Sequence, residues 1–238
     1  MSTYDTIALG LFLFLYLGYQ LFFLLAPALG LQTREQIVLH YRRRWFQGVL
    51  ADKNYILAIQ TIRNLEMVTT FLGSVTLLMM GGVVGLFFSN PEWLDKLNHG
   101  RYTDFLVAHP LGVKLLVVLV VLAAAFLNFI ISLRITYNMN FVLSAPIHPK
   151  EGIEFQMDQV RRQTRYFFVG VRSLYFSIAP LMWVLDTNLF IASSLSATIL
   201  TLRSDLLRQM PPLFPLRRIT DRLGLHAKKS ANRKNVIE

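Results

Sequence analysis

The sequence predicts an all-α fold: an integral membrane helical bundle of five transmembrane helices, with an interfacial amphipathic helix between the first two. Three observations predict it. Of the 238 residues, 54% are hydrophobic and only 16% are charged, at a mean hydropathy of +0.45; soluble domains carry about 25% charge. The apolar residues run in long unbroken stretches, whereas a soluble core is assembled from short amphipathic pieces. Lysine and arginine crowd some connecting segments and avoid others, as orientation in a bilayer requires.

A spanning helix needs roughly 20 mostly apolar residues. The first runs from Thr6 to Leu25 without a charge and ends at Pro27. Ala26-Pro27-Ala28 mimics a signal cleavage site. The start, however, carries Asp5 and no Lys or Arg, and the apolar run is too long for a cleaved signal, so a retained helix is expected. Met67 to Phe88 is the second span, closed by Ser89-Asn90-Pro91, and Gly112 to Leu133 the third. Tyr166 to Leu202 is too long for one pass and is interrupted at Asp186-Thr187-Asn188. It forms either one long tilted helix or a tight helical hairpin.

Charge separates the two. Arg34, Arg42, Arg43, Arg44, Lys53 and Arg63 lie between the first two spans, and Arg134, Lys150, Arg161, Arg162 and Arg165 between the third and fourth. Between the second and third, Lys96 and Arg101 are balanced by Glu92, Asp95 and Asp104. After the last span come nine more cations, from Arg203 to Lys234. Short cytoplasmic loops collect Lys and Arg. Five passes with an external N-terminus put all three basic segments inside and the Asp186 turn outside. Four passes would strand the basic tail on the wrong side. The predicted organisation is a transmembrane domain over 1–205 with cytoplasmic helical extensions, then a basic cytoplasmic tail over 206–238. A bacterial inner membrane is the expected location.

The first inner loop has its own structure. Thr33 and Gln36 have capping-box spacing. Ile37, Val38, Tyr41, Trp45, Phe46 and Val49 then recur at helical spacing, with Arg42, Arg43 and Arg44 around the other side. This pattern predicts a helix in the interface, with Trp45 at headgroup depth and the three arginines on anionic phosphates. A further helix is expected from Asp52-Lys53 straight into the second span. At about 35 residues it would measure roughly 52 Å and project below the membrane. Glu151 to Arg165 reads as a similar extension of the fourth span, and Trp93, Tyr102 and Phe105 as residues resting on the outer interface.

Several constellations are candidates for function. Arg63, Asn64 and Glu66 end the second span on its inner side, Arg134 ends the third, and Arg172 lies inside the fourth. The topology predicts a polar layer in the cytoplasmic leaflet, with Glu66 paired to Arg172 or Arg134. Ionisable residues at such depth find partners, and the layer is either an anion path, a headgroup pocket or a coupling site, or a structural ion pair with snorkelling arginines. Gly81 and Gly85, and Ser193 and Ala197, have the small-xxx-small spacing of close helix packing, within one protomer or between protomers. Asp186 is expected to cap or bend the hairpin.

Other chemistry is not supported. There is no cysteine, so thiolate metal sites and disulfides are excluded. None of the five histidines lies in a span, and Glu-x-x-His and His-x-x-x-His are absent. No phosphate loop or nucleophile elbow occurs. No catalytic residue, metal or cofactor is therefore expected. The net charge of +10 beside a membrane points to anionic lipid headgroups or protein partners, with no nucleic acid.

Tyr41-Arg42-Arg43-Arg44-Trp45, Asp52-Lys53-Asn54 and the run Leu57 to Asn64 resemble the domain-of-unknown-function family numbered five hundred and ninety-nine, of bacterial and plant multi-pass membrane proteins. Gly170-x-Arg172-x-x-Tyr175-x-x-x-x-Pro180-x-x-Trp183 resembles its later block. The resemblance extends to about Asp205 and leaves out the basic tail. It implies a membrane location and no established activity, and it marks Lys53 to Asn64 and Arg172 for testing. The first functional expectation is a non-enzymatic assembly or accessory component of a homo-oligomer or larger membrane complex. The alternatives are an anion channel or small-solute transporter, and a subunit of a membrane enzyme or redox complex.

Overall fold

The structure is a computed structural model that describes residues 2–26, 33–52, 55–89, 110–144 and 149–206, side chains 50, 51, 142–144, 149–153 and 206 aside. The expectations for Trp93, Tyr102, Phe105 and the tail beyond 206 lie outside the described residues. Seven helices are described: α1 (Thr3–Leu25), α2 (Arg34–Ala51), α3 (Tyr55–Phe88), α4 (Pro110–Ser144), α5 (Pro149–Phe176), α6 (Ile178–Leu185) and α7 (Thr187–Leu206). No strand occurs among them.

Each boundary has a local cause. Ser2 and Asp5 form a capping box at the start of α1: Ser2 Oγ accepts from Asp5 N at 3.1 Å, and Asp5 Oδ2 accepts from Ser2 N at 3.3 Å. The predicted box at α2 is present, with Gln36 N donating to Thr33 Oγ1 at 3.4 Å and Thr33 N to Gln36 Oε1 at 3.3 Å. Helices α4 and α5 both begin on proline, whose missing N–H costs nothing at a first helical position. Pro180 has no N–H for the carbonyl four residues back, and the chain breaks at Ser177 between α5 and α6. Extended Asp186 starts α7, its Oδ2 accepting from Asn188 N at 2.7 Å and Leu189 N at 3.3 Å. This is the capping role expected of Asp186.

The hairpin alternative holds. Trp183 and Phe190, on opposite sides of the Asp186 turn, stack at 4.6 Å. Helix α1 lies along α7: Tyr4 donates to Asn188 Oδ1 at 2.7 Å near one end, and Tyr19 to Asp205 Oδ2 at 2.8 Å near the other. Asp5 Oδ1 pins the turn, accepting from Thr187 Oγ1 at 2.6 Å and Trp183 Nε1 at 3.2 Å. The core here is aromatic, built on Phe12, Tyr19, Phe23, Phe176, Trp183 and Phe190. Helix α4 packs antiparallel to both α3 and α5 around Val83, Leu115, Val118 and Leu122. Phe129 fills the gap between the helices. A Cβ at Gly170 would fall 2.8 Å from its Cε1, so this approach requires glycine, and a Cβ at Gly73 would lie 3.8 Å from its Cβ.

Among the described residues, four stretches are long and apolar enough to cross a membrane: α1, α3, residues 110–141, and residues 154–185. At 34 residues, α3 is the predicted long helix and measures about 51 Å. Helix α7 has the length but is diluted by serine and threonine. Their hydroxyls turn back onto carbonyls of the same helix, as in Ser194 to Phe190 O at 2.6 Å and Thr201 to Ala197 O at 2.6 Å.

Candidate functional site

The site grows from one arginine. Arg172 stands on α5 and is 3% exposed. A buried cation must be paired. Its Nε donates to Asp205 Oδ2 on α7 at 2.7 Å, the same oxygen that accepts from Tyr19 of α1. Its Nη2 stands 3.7 Å from Glu35 Oε2 on α2 and has no hydrogen-bond partner. The guanidinium lies 4.4 Å from the Phe23 ring centre and 5.7 Å from that of Phe168. Next to it, Ser173 Oγ contacts the Tyr16 hydroxyl at 3.0 Å and accepts from Gln20 Nε2 at 3.2 Å. One residue thereby joins α1, α2, α5 and α7. Burial pushes the Glu35 carboxyl above its ordinary pKa, while the Arg172 and Arg165 cations pull it back.

Arg172 forms part of the wall of two cavities. One of about 550 Å³ opens between α1, α2 and α5 and also exposes Glu35, Arg161 and Arg165. The other, of about 330 Å³, lies between α5 and α7 beside Asp205 and Ser204.

A second polar group sits further along α5. Arg42 Nη1 donates to Gln163 Oε1 at 3.0 Å and Thr164 Oγ1 at 2.7 Å, and Gln163 Nε2 donates to Ser132 Oγ at 3.1 Å. Burial lowers the Arg42 pKa. Among the described residues this cation is held by neutral oxygens alone.

These positions revise the expected polar layer. Gln163 meets Ser132 and Gly170 meets Phe129, so Arg134 is level with the Gln163 turn. Arg172 is nine residues beyond Gln163, about 13 Å deeper along α5. Arg63, Asn64 and Arg134 are exposed and Glu66 is half-buried. Glu66 does not reach Arg172, whose carboxylates are Asp205 and Glu35. The cause is register: Gly73 and Gly170 both meet Phe129, so Arg172 is level with the Leu72 turn of α3, which shares its smaller cavity, and Glu66 lies six residues, about 9 Å, further toward the Arg134 end.

The arginines of α2 also divide. Arg43 and Arg44 are exposed, but Arg42 turns inward. Trp45 and Phe46 pack on Ile62, Met139, Met157 and Val160. Helix α2 descends along α5, from Glu35 opposite Arg172 to Phe46 opposite Val160; Phe46 is covered by protein and Trp45 partly so, while Tyr41 stays exposed. The small residues stay open. A Cβ at Gly81, Gly82 or Gly85 would meet nothing within 4 Å. Ser193 and Ala197 line a shallow groove with Tyr175 and Ile178.

Sequence reading missed Asp205, Glu35 and Gln163. Asp205 is an acid in an otherwise basic stretch at the end of the last helix, which was a usable signal. Glu35 and Gln163 stand among charged and polar neighbours and carry none.

The model of one protein family, described as "Protein of unknown function, DUF599", matches residues 7–210. The chain belongs to this family. The match embraces all seven described helices except the first turn of α1, and with them every residue of the Arg172 junction. No curated protein and no solved structure matches. For this DUF599 member, function rests on the geometry above.

Proposed function

We propose that this DUF599 protein is a non-enzymatic component of a membrane assembly, either a homo-oligomer or a larger complex. In this reading the chain crosses a bacterial inner membrane five times, with α7 as the fifth crossing. The N-terminus lies outside and the basic tail in the cytoplasm, as the Lys and Arg distribution requires.

The observation that supports assembly is a contrast among glycines. Gly73 and Gly170 sit against Phe129, whereas Gly81, Gly82 and Gly85 on α3 face open space. An α-helix pays for interior glycine with about 1 kcal/mol of propensity relative to alanine. Among the described residues nothing offsets that cost at Gly81, Gly82 or Gly85. A second helix seated on the Gly81–Gly85 face would, because small residues let backbones approach closely in a bilayer. The anion-path reading has less support, since Arg63 and Arg134 are exposed and stand apart from Arg172.

Native mass spectrometry of the gently solubilised protein tests the proposal. Wild type is expected as a multimer or with partner subunits. Gly81→Leu/Gly85→Leu is expected as a folded monomer, because a Cβ at either position meets nothing within 4 Å among the described residues. A monodisperse wild-type monomer in mild detergent sinks the proposal.

A further inference from the structure

We propose that the cavity between α1, α2 and α5 is a binding site for the phosphate of an anionic phospholipid. Arg161, Arg165 and Arg172 recur on α5 at spacings of four and seven, which keeps them on one face of the helix. All three line the cavity of about 550 Å³, against a single carboxylate, Glu35. Their neighbour Arg162 is occupied by Asp158 at 2.9 Å, but among the described residues neither Arg161 nor Arg165 is held in an ion pair. The deepest of the three carries the second observation. Arg172 is 3% exposed, and its Nη2, on the Glu35 side, lacks a hydrogen bond. A buried guanidinium N–H left unpaired is costly, and a phosphate oxygen is the acceptor whose geometry it fits.

Glu35 does not fill that role. Its contact with Arg172 is 3.7 Å, compared with 2.7 Å for Asp205, and its side chain keeps 21% of its exposure. The rest of the lining selects a lipid over a free anion. Leu21, Leu24 and Val169 wall the cavity, and Leu21 and Leu24 are exposed on the outer face of α1. A phosphate among the arginines thus has an apolar surface beside it for an acyl chain. The site also lies where α1, an apolar helix of crossing length, gives way to polar α2. Basic clefts at that boundary suit anionic headgroups.

The test is lipid retention by the full-length protein, taken from detergent into mixed phosphatidylglycerol and phosphatidylcholine and read by native mass spectrometry. Wild type is expected to keep phosphatidylglycerol preferentially. Arg161→Gln/Arg165→Gln is expected to weaken that retention about thirtyfold, from two phosphate contacts at a membrane surface. Arg162→Gln/Arg203→Gln removes the same charge from exposed positions outside the cavity and should leave retention unchanged. Equal losses in both variants, or no preference in wild type, overturn the proposal. So does thermal stabilisation of wild type by inorganic phosphate without any lipid preference, which would make the ligand a free anion. These readouts are independent of oligomeric state.

Discussion

The Arg172 junction and the outer half of α3 are built from similar apolar helices and end in opposite conditions. At the junction four helices converge on one cation, two carboxylates and a ring of aromatics. On α3 only 17% of the most apolar window is buried, against 44% for the stretch that contains Arg172. Hydrophobicity did not make the difference, since α3 is the more apolar of the two. In a bilayer, apolar surface gains nothing by being covered with protein. What draws helices together is polar groups that need partners and small residues that permit contact. The junction has paired most of its polar groups inside the protomer, Arg172 Nη2 excepted, whereas Gly81, Gly82 and Gly85 of α3 meet nothing among the described residues.

The largest expected effect tests the junction. Asp205→Asn leaves Arg172 buried with only distant Glu35 for charge compensation, and should cost about 3–5 kcal/mol in detergent unfolding. Replacing both partners, as Arg172→Met/Asp205→Leu, should recover most of that loss, because well-packed apolar residues match a buried ion pair. A double variant as unstable as the single one would mean that Tyr19 and Glu35 depend on the charge as well.

Next in size is the glycine contrast. Gly170→Ala sets a Cβ 2.8 Å from the Phe129 ring and should destabilise by about 1–3 kcal/mol, with rescue by Phe129→Leu. Gly81→Ala/Gly85→Ala has no such obstacle. In an isolated protomer each change should stabilise α3 by up to about 1 kcal/mol, and in an assembly the multimer should weaken instead. The sign of that change, read from melting temperature and mass together, says which state α3 occupies.

The smallest effect is a pH dependence. The folded-state pKa of Glu35 is raised, chiefly by burial. Its stabilising contribution is therefore complete below the ordinary glutamate pKa and is lost as pH rises through the elevated value. Glu35→Gln should gain stability relative to wild type as pH is raised from the acid range to neutrality. Parallel melting curves for the two proteins across that range would show that Glu35 titrates normally.

Much of the architecture was legible before any coordinates. Thr33 and Gln36 announced the start of α2, Asp186 the hairpin turn, and the run from Asp52-Lys53 the long helix described from Tyr55 as α3. These are local signals, written in residues a few positions apart, and the physics that uses them is equally local. The family blocks also marked Arg172 as a position to test. Its partners were another matter. Glu66 was a reasonable carboxylate for it by depth alone, and Arg42 a reasonable member of an outward triad.

What the sequence determined by itself was the membrane class, the helical segments and their ends, because apolar run length, capping residues and prolines act within one or two turns. Only the tertiary structure decided which charge meets which. The register of α3 against α4 and α5 separates Glu66 from Arg172, and folding α7 back along α1 delivers Asp205 instead. Those pairings depend on the register of helices more than 30 residues apart in sequence, and one arginine offers the same chemistry to any carboxylate that arrives.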